Sequence, residues 1–470
     1  MTQTISEELA DYITRMKISD LPAEVVSKTK QCILDTIGCM LRGSLDEVGV
    51  MLVGHVFRYG PPGPCTVFGH AGSLGVEHAA LANGTLAHVL EWDDGHRPSG
   101  NHLGCAVVPA AMVMAQATEC SGGQILLSVA LGYDVAGRVG EAVCLPRTGQ
   151  YFHGNGTAGV FGTAAVAGKM LSLNPRQVAN ALGIAGDGAS GLREFPAVRG
   201  MQCKPLHVGR AVQTGVTAGL LAAEGFEGAA TILEGRYGFC NAMTPEPRPE
   251  LICLDLGQRF AVVESGFKYF AGGGGPTHVE AALWLREKYD LDPSSISRIK
   301  VGLPRSDGNR SFSGYLEDTM SKPRPPASVG HARFSTSYRV AAALSDGEMT
   351  HRQLSPVKLT DPTILSLEKL VEFDGDPDVQ EIANSLARDE AFAFVPSSVE
   401  IDCGGQTYKH LVKKPLGYDI ERALTQEQVE TKFHSVVRGI LSQQQADGVV
   451  NWVAGLDRGS QVKELAAILA

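Results

Sequence analysis

Long apolar segments, rich in alanine and broken by glycine, dominate the chain between residues 74 and 240. Their length and small side chains favour buried helices over strands, and β-branched residues show little alternation with polar ones here. Residues 1–60 also carry helical patterns. We therefore predict a large helical domain, with its clearest helices over residues 106–117, 125–136, 160–169, 175–185 and 208–224.

The pattern changes after residue 265, where proline-containing loops and short strand-like runs such as 299–303 and 398–401 appear. This mixture predicts a smaller α+β unit. A helix with a clear N-terminal signal, Thr425-Gln426-Glu427-Gln428, then resumes. The predicted fold class is mainly α with a smaller α+β domain. The expected division is a helical domain over 1–267, an α+β lid domain over 268–405, and C-terminal helices over 406–470 that return to the helical domain.

The composition argues against several classes of function. The 470 residues are 44% hydrophobic and 20% charged, as in a globular protein with a large core. A formal charge of −10 and a pI near 5.7 argue against nucleic-acid or anionic-membrane partners. No uninterrupted apolar run approaches the ~20 residues of a membrane helix. No signal peptide is evident, and the ten cysteines form no Cys-x-x-Cys pair, so we expect a cytoplasmic protein with free thiols.

Candidate chemistry lies in a loop broken by glycine and proline, directly before the helix over 106–117. Asp93 and Asp94 are adjacent there, and His96 and His102 follow. Titratable groups on a loop in front of a rigid helix are a common arrangement for proton transfer. The alternative is a solvated turn that happens to contain histidine. A second cluster, Lys204-Pro205-Leu206-His207, favours the proton-transfer interpretation.

Two other kinds of site were weighed. The stretch Gly154-Asn155-Gly156-Thr157-Ala158-Gly159 fits the dinucleotide pattern G-x-G-x-x-G. However, no apolar strand precedes it and no acidic residue follows about 20 residues later, so we predict a helix start beside His153. A divalent ion held by Asp93, Asp94, His96 and His102 stays an alternative, although two lysines in the same pocket would oppose it. We predict neither a metal nor a cofactor.

Short stretches spread along nearly the whole chain resemble the MmgE/PrpD family. They cover residues 33–39, 82–88, 152–154, 204–207, 233–239, 267–270, 331–335 and 424–433. Each stretch is short, but their order and spread make the match specific. The resemblance implies a cofactor-independent enzyme that acts on a small di- or tricarboxylate.

The resemblance also implies the site residues. Chemistry on such substrates needs cations to hold carboxylates, a base and an acid. The catalytic residues that the resemblance indicates are Asp93, His96, His102, His153, Lys204 and Lys268. The expected substrate-binding residues are Glu91, Asp94 and Arg210.

The chain departs from the family at two places. Dehydratase and decarboxylase members tend to carry Asp-Phe-x-Asp-Thr where this chain has Glu91-Trp92-Asp93-Asp94-Gly95, and four glycines follow Ala271. We therefore expect a reshaped pocket. The whole chain most resembles the epimerase members of the family, and this resemblance implies an epimerase that inverts the α-carbon of iminodisuccinate by proton abstraction and reprotonation. The first alternative is a lyase of the same family, of the 2-methylcitrate dehydratase or cis-aconitate decarboxylase type. The second is a non-catalytic carboxylate-binding protein.

The apolar helices suggest that the protein forms an oligomer. Helices that are apolar on more than one face leave surface for a partner, and two-fold dimers are the commonest result. We expect a homodimer through the helical domain. We also expect the α+β unit to act as a lid that hinges at the glycines over 272–275 and 404–405, because glycine accommodates large backbone changes.

Overall fold

The computed structural model describes residues 3–144, 151–195, 201–305, 324–389 and 395–469. It is mainly helical with a smaller α+β part, as predicted. The chain divides into two compact units. Unit 1 comprises Met1–Val89, Asp93–Ser265 and Thr425–Ala470, and unit 2 comprises Leu90–Trp92 and Gly266–Leu424.

The chain up to residue 266 is built from helices and a few short strands. The helices are α1 (Ile5–Arg15), α2 (Ala23–Gly43), α3 (Glu47–Tyr59), α4 (Val76–His88), α5 (Gly104–Thr118), α6 (Gly122–Val143), α7 (Gly154–Thr157), α8 (Gly159–Met170), α9 (Pro175–Asp187), α10 (Cys203–Ala223) and α11 (Phe239–Met243). The strands are β1 (Pro62–Thr66), β2 (Ser73–Leu74), β3 (Gly95–His96) and β4 (Ser265–Gly266). All five helices predicted from the apolar segments are confirmed.

Helices α5 and α8 explain why those segments lack a polar face. Every residue of α5 from Gly104 to Ala115 is buried, and so are nearly all residues of α8. Such helices lie inside a layer of other helices, so they need apolar side chains all round. Helix α5 lies behind the loop that carries Asp93, because the amide of Gly104 in its first turn donates to the side chain of Asp94.

Helices α4 and α10 cross at unusually short range. A Cβ atom added to Gly209 would lie 2.1 Å from Oγ1 of Thr85 and 2.4 Å from the carbonyl oxygen of Leu81. A Cβ atom on Gly84 would lie 3.0 Å from the Cα atom of Gly209. Only glycine permits this approach, which brings the end of α4 and the start of α10 together.

Unit 2 contains the predicted α+β part. Its elements are α12 (Thr277–Tyr289), β5 (Ile296–Leu303), α13 (Val329–Ala332), α14 (Thr336–Asp346), α15 (Pro362–Lys369), β6 (Val371–Gly375), α16 (Pro377–Asp389), β7 (Ser397–Cys403) and β8 (Gln406–Val412). The sheet has the order β6-β5-β7-β8, with β5 and β6 parallel and the other two pairs antiparallel. The strands predicted at 299–303 and 398–401 are confirmed within β5 and β7.

The glycine pair at 404–405 differs from the expected hinge. Cys403 pairs with Gln406, so Gly404 and Gly405 form the two-residue turn of the β7–β8 hairpin. Their φ angles of 58° and 78° are those that a tight hairpin turn demands and that glycine adopts at low cost. A domain boundary drawn at residue 405 would separate two paired strands, and unit 2 instead continues to Leu424.

The C-terminal helices α17 (Gln426–Val437), α18 (Gln443–Ala454) and α19 (Val462–Leu469) belong to unit 1. The predicted start of α17 is confirmed, because the Thr425 side chain caps the helix in a capping box with Gln428. A buried ion pair joins Lys432 of this helix to Asp35 of α2, with Nζ 2.6 Å from Oδ1. Within the described residues, no helix combines the length and the apolar character that crossing a membrane requires.

The crossing of α4 and α10 generates a stability prediction. Gly209→Ala should lower the stability of unit 1 by at least about 1–3 kcal/mol, because the added methyl group meets the backbone of α4. Gly54→Ala is the matched control. Gly54 lies on an exposed face of α3 with nothing within 4 Å of its Cβ position, so alanine there should stabilise by ~0.5–1 kcal/mol. Equal thermal midpoints for the two variants, measured by circular dichroism, would contradict the close crossing.

Candidate active site

Asp94 anchors the candidate loop to the helix behind it. Its Oδ1 accepts a hydrogen bond from the amide of Gly104, at the first turn of α5, and its Oδ2 accepts one from the hydroxyl of Tyr133. Burial, together with the charge of Asp93, raises the pKa of Asp94 to about 7. The structure therefore gives Asp94 two protein partners where the sequence suggested a substrate contact.

His96 is also held by neighbours within unit 1. Its Nδ1 lies 2.9 Å from Oγ of Ser99, and its Nε2 lies 3.1 Å from Oε2 of Glu264. Glu264 in turn pairs with Arg259. Although burial opposes it, hydrogen bonds from His96 and Arg259 lower the pKa of Glu264 to about 2. With both ring nitrogens engaged by protein groups, His96 fastens the loop, and its catalytic role stays a prediction.

Asp93 lies at the centre of a buried cluster. Its Oδ2 is 2.7 Å from Nδ1 of His88 and 3.6 Å from Nδ1 of His102. On the other side of His88, Nε2 lies 2.6 Å from Nζ of Lys204. The side chains of Asp93 and His88 are fully buried, and Lys204 is 7% exposed. The predicted residues Asp93, His102 and Lys204 are thus brought together within unit 1.

His102 is oriented by backbone contacts. Its Nδ1 lies 2.5 Å from the carbonyl oxygen of Asp94. Because a carbonyl can only accept, Nδ1 carries the hydrogen and the lone pair of the neutral ring is on Nε2. Its amide donates to Oδ1 of Asn155, which lies in the glycine-rich stretch at the start of α7. The predicted helix start beside His153 is confirmed, and one use of that stretch is to hold the His102 loop.

His153 and His207 lie on the accessible side of the cluster. The His153 ring lies 5.6 Å from the ring of His88 and 5.5 Å from that of His207, centre to centre. Burial, reinforced by the charge of Lys204, lowers the pKa of His153 well below its usual range and lowers that of His207 as well. Both rings are therefore neutral near pH 7, and each is partly accessible, whereas His88 is not.

The other three predicted residues are Arg210 in unit 1 and Glu91 and Lys268 in unit 2. Arg210 is exposed, and at 100° per residue it lies about 240° round α10 from Lys204. Lys268 and Glu91 lie in unit 2, where Nζ of Lys268 donates to the carbonyl oxygen of Glu91 at 3.0 Å and lies 4.0 Å from its carboxylate. Glu91 has a φ angle of 55° and is buried, an uncommon conformation for a non-glycine residue that is often found at functional sites.

His88 was missed by the sequence analysis as a site residue. It ends α4, and it lies within the stretch 82–88 that carries the family resemblance. Its place five residues before Asp93 was the available signal. That signal is weak, because a histidine at the end of an apolar helix is most often a packing residue.

Two family models match this chain. The MmgE/PrpD N-terminal domain matches residues 7–252, and the MmgE/PrpD C-terminal domain matches residues 269–456. The chain belongs to the MmgE/PrpD family. The resemblance noted on short stretches is therefore confirmed over most of the chain.

Several relatives within the MmgE/PrpD family carry a named activity. A cis-aconitate decarboxylase-like protein of Aspergillus oryzae is 25% identical, over 99% of this chain and 97% of its own. The cis-aconitate decarboxylase of Aspergillus terreus is 26% identical, over 99% and 96%. The human cis-aconitate decarboxylase is 28% identical, over 97% and 92%. These names give no support to the expected epimerase and agree with the lyase alternative.

One group among the described residues has the geometry to hold a metal ion. Ligand atoms of His88, Asp93 and Cys105 lie within 4.8 Å of one another. Burial, together with the charge of Asp93, raises the pKa of the Cys105 thiol well above its usual range, and metals bind the thiolate. The ammonium of Lys204 lies 2.6 Å from the same His88 and would repel a cation. The absence of a metal from the working enzyme stays a prediction.

The Asp94 environment generates a pH prediction. The pKa of Asp94 rises from 3.8 to about 7 on folding, so the folded state binds more protons between these values. Stability from this group should fall as pH rises through that window, by up to about 1.4 kcal/mol per pH unit. Relative to wild type, Asp94→Asn should therefore gain stability from pH 4 to 7 and change no further above it, as measured by chemical denaturation.

Glu264→Gln is the control of opposite sign. The pKa of Glu264 falls from 4.5 to about 2 on folding, so its contribution is present above pH 4.5 and is lost as pH falls towards 2. This variant should keep a constant difference from wild type between pH 5 and 7. A flat difference for Asp94→Asn over that same interval would contradict the buried, proton-retaining Asp94.

Proposed function

We propose that this protein is a lyase that acts on a small di- or tricarboxylate, of the cis-aconitate decarboxylase type. The observation that carries the proposal is the cluster of Asp93, His102, His153 and Lys204, found in a chain that aligns over almost its full length with cis-aconitate decarboxylases. Full-length alignment on both sides supports a shared reaction class.

The chemistry of the cluster fits decarboxylation. The reaction breaks the bond from a carbon atom to a carboxylate, carbon dioxide leaves, and the electron pair left behind takes up one proton. Lys204 offers a cation to attract a carboxylate and a proton to deliver. In the neutral ring of His102 the lone pair is on Nε2, because Nδ1 is committed to the carbonyl oxygen of Asp94, so this nitrogen is a hydrogen-bond acceptor in the cluster.

The charges of the cluster suit an anionic substrate. Burial and the neighbouring cation keep His153 and His207 neutral, so positive charge is concentrated on Lys204. Neutral imidazoles can donate or accept hydrogen bonds without bringing more charge into a buried site. A substrate carboxylate that enters would then meet one strong electrostatic partner and several polar groups that adapt to it.

Epimerisation of an imino or amino dicarboxylate such as iminodisuccinate is the second candidate. The observation that favours it is the local departure from the decarboxylase pattern, where Glu91 replaces an aspartate and Gly95 replaces a threonine. A glycine at position 95 removes a hydroxyl group from a buried segment. Such changes alter what surrounds the acid–base groups and can change the substrate.

One assay separates the two reactions. We expect purified protein with cis-aconitate in deuterium oxide to release carbon dioxide and to place one deuterium on the carbon that takes up the proton, as followed by proton NMR. Iminodisuccinate or an aspartate-like dicarboxylate should show no exchange at its α-carbon. Exchange of that α-hydrogen without carbon dioxide release would favour the epimerase, and neither result with any substrate would favour a binding protein.

Lys204 and Arg210 offer a matched pair of variants on one helix. Lys204→Met should lower turnover by at least ~10²-fold, the scale for the loss of one positioned acid or electrostatic group. Arg210→Met should keep near-normal turnover because its side chain is exposed on another face of α10. Normal folding is checked by circular dichroism. A greater loss for Arg210→Met than for Lys204→Met would exclude the assigned cluster.

A further inference from the structure

His88 links two residues of the cluster in an unbroken chain of short contacts. Nδ1 lies 2.7 Å from the Asp93 carboxylate, and Nε2 lies 2.6 Å from Nζ of Lys204. Both His88 and Asp93 have no exposed side-chain surface. His88 therefore lies behind the accessible residues, where no substrate atom needs to reach it.

The direction of these hydrogen bonds follows from the groups themselves. An ionised carboxylate can only accept, so Nδ1 of His88 must carry the hydrogen that points at Asp93. In the neutral ring, Nε2 then carries the lone pair and must accept. Lys204 is consequently the donor in the 2.6 Å contact. Asp93 thus selects the tautomer of His88, and that tautomer decides how Lys204 is held.

We infer that His88 is a positioning residue that, with its tautomer fixed by Asp93, holds Lys204 as an oriented ammonium donor. The inference rests on the proposed function only for what Lys204 then does to a substrate. One N–H of Lys204 is fixed on His88, so the ammonium group is held in one orientation. His88 itself gives up no proton and takes none.

The proton balance is simple under this assignment. Lys204 transfers one proton to the carbon that holds the electron pair after carbon dioxide leaves, and it becomes a neutral amine. That amine still has two N–H groups, so it can keep its bond to His88 while its lone pair recovers a proton from solvent. The contact between His88 and Lys204 therefore persists through the cycle, and the amine stays in place.

Two conservative variants separate the two contacts of His88. In His88→Gln, the amide oxygen can take the place of Nε2 and accept from Lys204. In His88→Asn, the shorter amide can reach Asp93 but not Lys204. If His88 only fills space, the two variants should behave alike. If it positions Lys204, His88→Gln should stay within ~10-fold of wild-type kcat and His88→Asn should lose at least ~10²-fold, with little change in KM.

Asp93→Asn tests the tautomer directly. An asparagine amide can donate to Nδ1, which would place the hydrogen on Nε2 and turn His88 from an acceptor into a donor towards Lys204. A wrong tautomer can cost a catalytic histidine as much as ~10⁴-fold in rate. Asp93→Asn should therefore resemble His88→Asn rather than His88→Gln.

A measurement on the free protein needs no substrate. Acetylation of lysine requires the neutral amine, so the rate at Lys204 is compared at fixed pH with that at exposed Lys463 by peptide mass spectrometry. Without its acceptor, a buried ammonium is disfavoured. The ratio should rise about tenfold, the scale of losing one hydrogen bond to a charged group, in His88→Asn but not in His88→Gln. Alkylation of buried Cys105, in the same cluster, reports changes in access.

Each outcome either supports or overturns the role assigned to His88. A rise at Lys204 in His88→Asn, without a rise at Cys105, supports the assignment. An equal rise at Cys105, equal labelling in both variants, or equal kcat in both variants overturns it. If the labelling pattern holds but neither cis-aconitate nor another carboxylate is converted, the proposed function fails while the role of His88 stands.

Discussion

The close crossing of helices α4 and α10 is the constraint on which the candidate site depends. Gly84 and Gly209 face one another there, with no room for a side chain on either. His88 lies four residues beyond Gly84, and Lys204 lies five residues before Gly209, so each is about one turn from the crossing. Helices held further apart by side chains could not place Nζ of Lys204 2.6 Å from Nε2 of His88. Glycines in the middle of a helix destabilise it. Here the same glycines permit the close crossing that brings Lys204 into contact with His88.

Burial then decides which groups of the cluster carry charge. In a site of low polarity, neighbouring cations repel and each buried charge is costly. The pKa values of His153 and His207 fall for this reason, which leaves Lys204 as the cation. The two adjacent carboxylates divide in the same way, because burial and the charge of Asp93 raise the pKa of Asp94 to about 7. Asp94 can thus keep its proton near neutrality while Asp93 faces two histidines. The site thus combines the carboxyl groups of Asp93 and Asp94, the cation of Lys204 and the neutral rings of His153 and His207.

Much of the fold could be predicted from the sequence because the helices are apolar over whole segments and the strands are not. The capping box at Thr425 fixed one helix start to the residue. The turn at Gly404 and Gly405 could not be told from a hinge, because both uses need glycine and only Val412 of the partner strand β8 is buried. Composition cannot say whether two glycines join two domains or two strands of one sheet.

The site was predictable in its residue types and only partly in its geometry. Asp93, His102, His153 and Lys204 meet within unit 1. Asp94 and His96 have the same chemistry and lie in the same loop, yet they point to Tyr133 and Glu264. A loop without a regular period carries no information about side-chain direction, whereas a helix does. For the same reason, Arg210 could have been excluded from its spacing to Lys204 alone.

Whether such a site acts as a lyase or as an epimerase depends on the groups that bind the substrate carboxylates rather than on the acid and the base. Both reactions pass through an electron pair on a carbon atom beside a carboxylate, and both end when a proton is delivered to carbon. The bond that breaks is the one aligned with the neighbouring π system, and that alignment is fixed by whatever grips the carboxylates. This chain retains His102, His153 and Lys204 and departs from the decarboxylase pattern at Glu91 and Gly95. Under the proposed function, His102, His153 and Lys204 would serve proton transfer in either reaction, and the positions of Glu91 and Gly95 are where specificity between the two is to be sought.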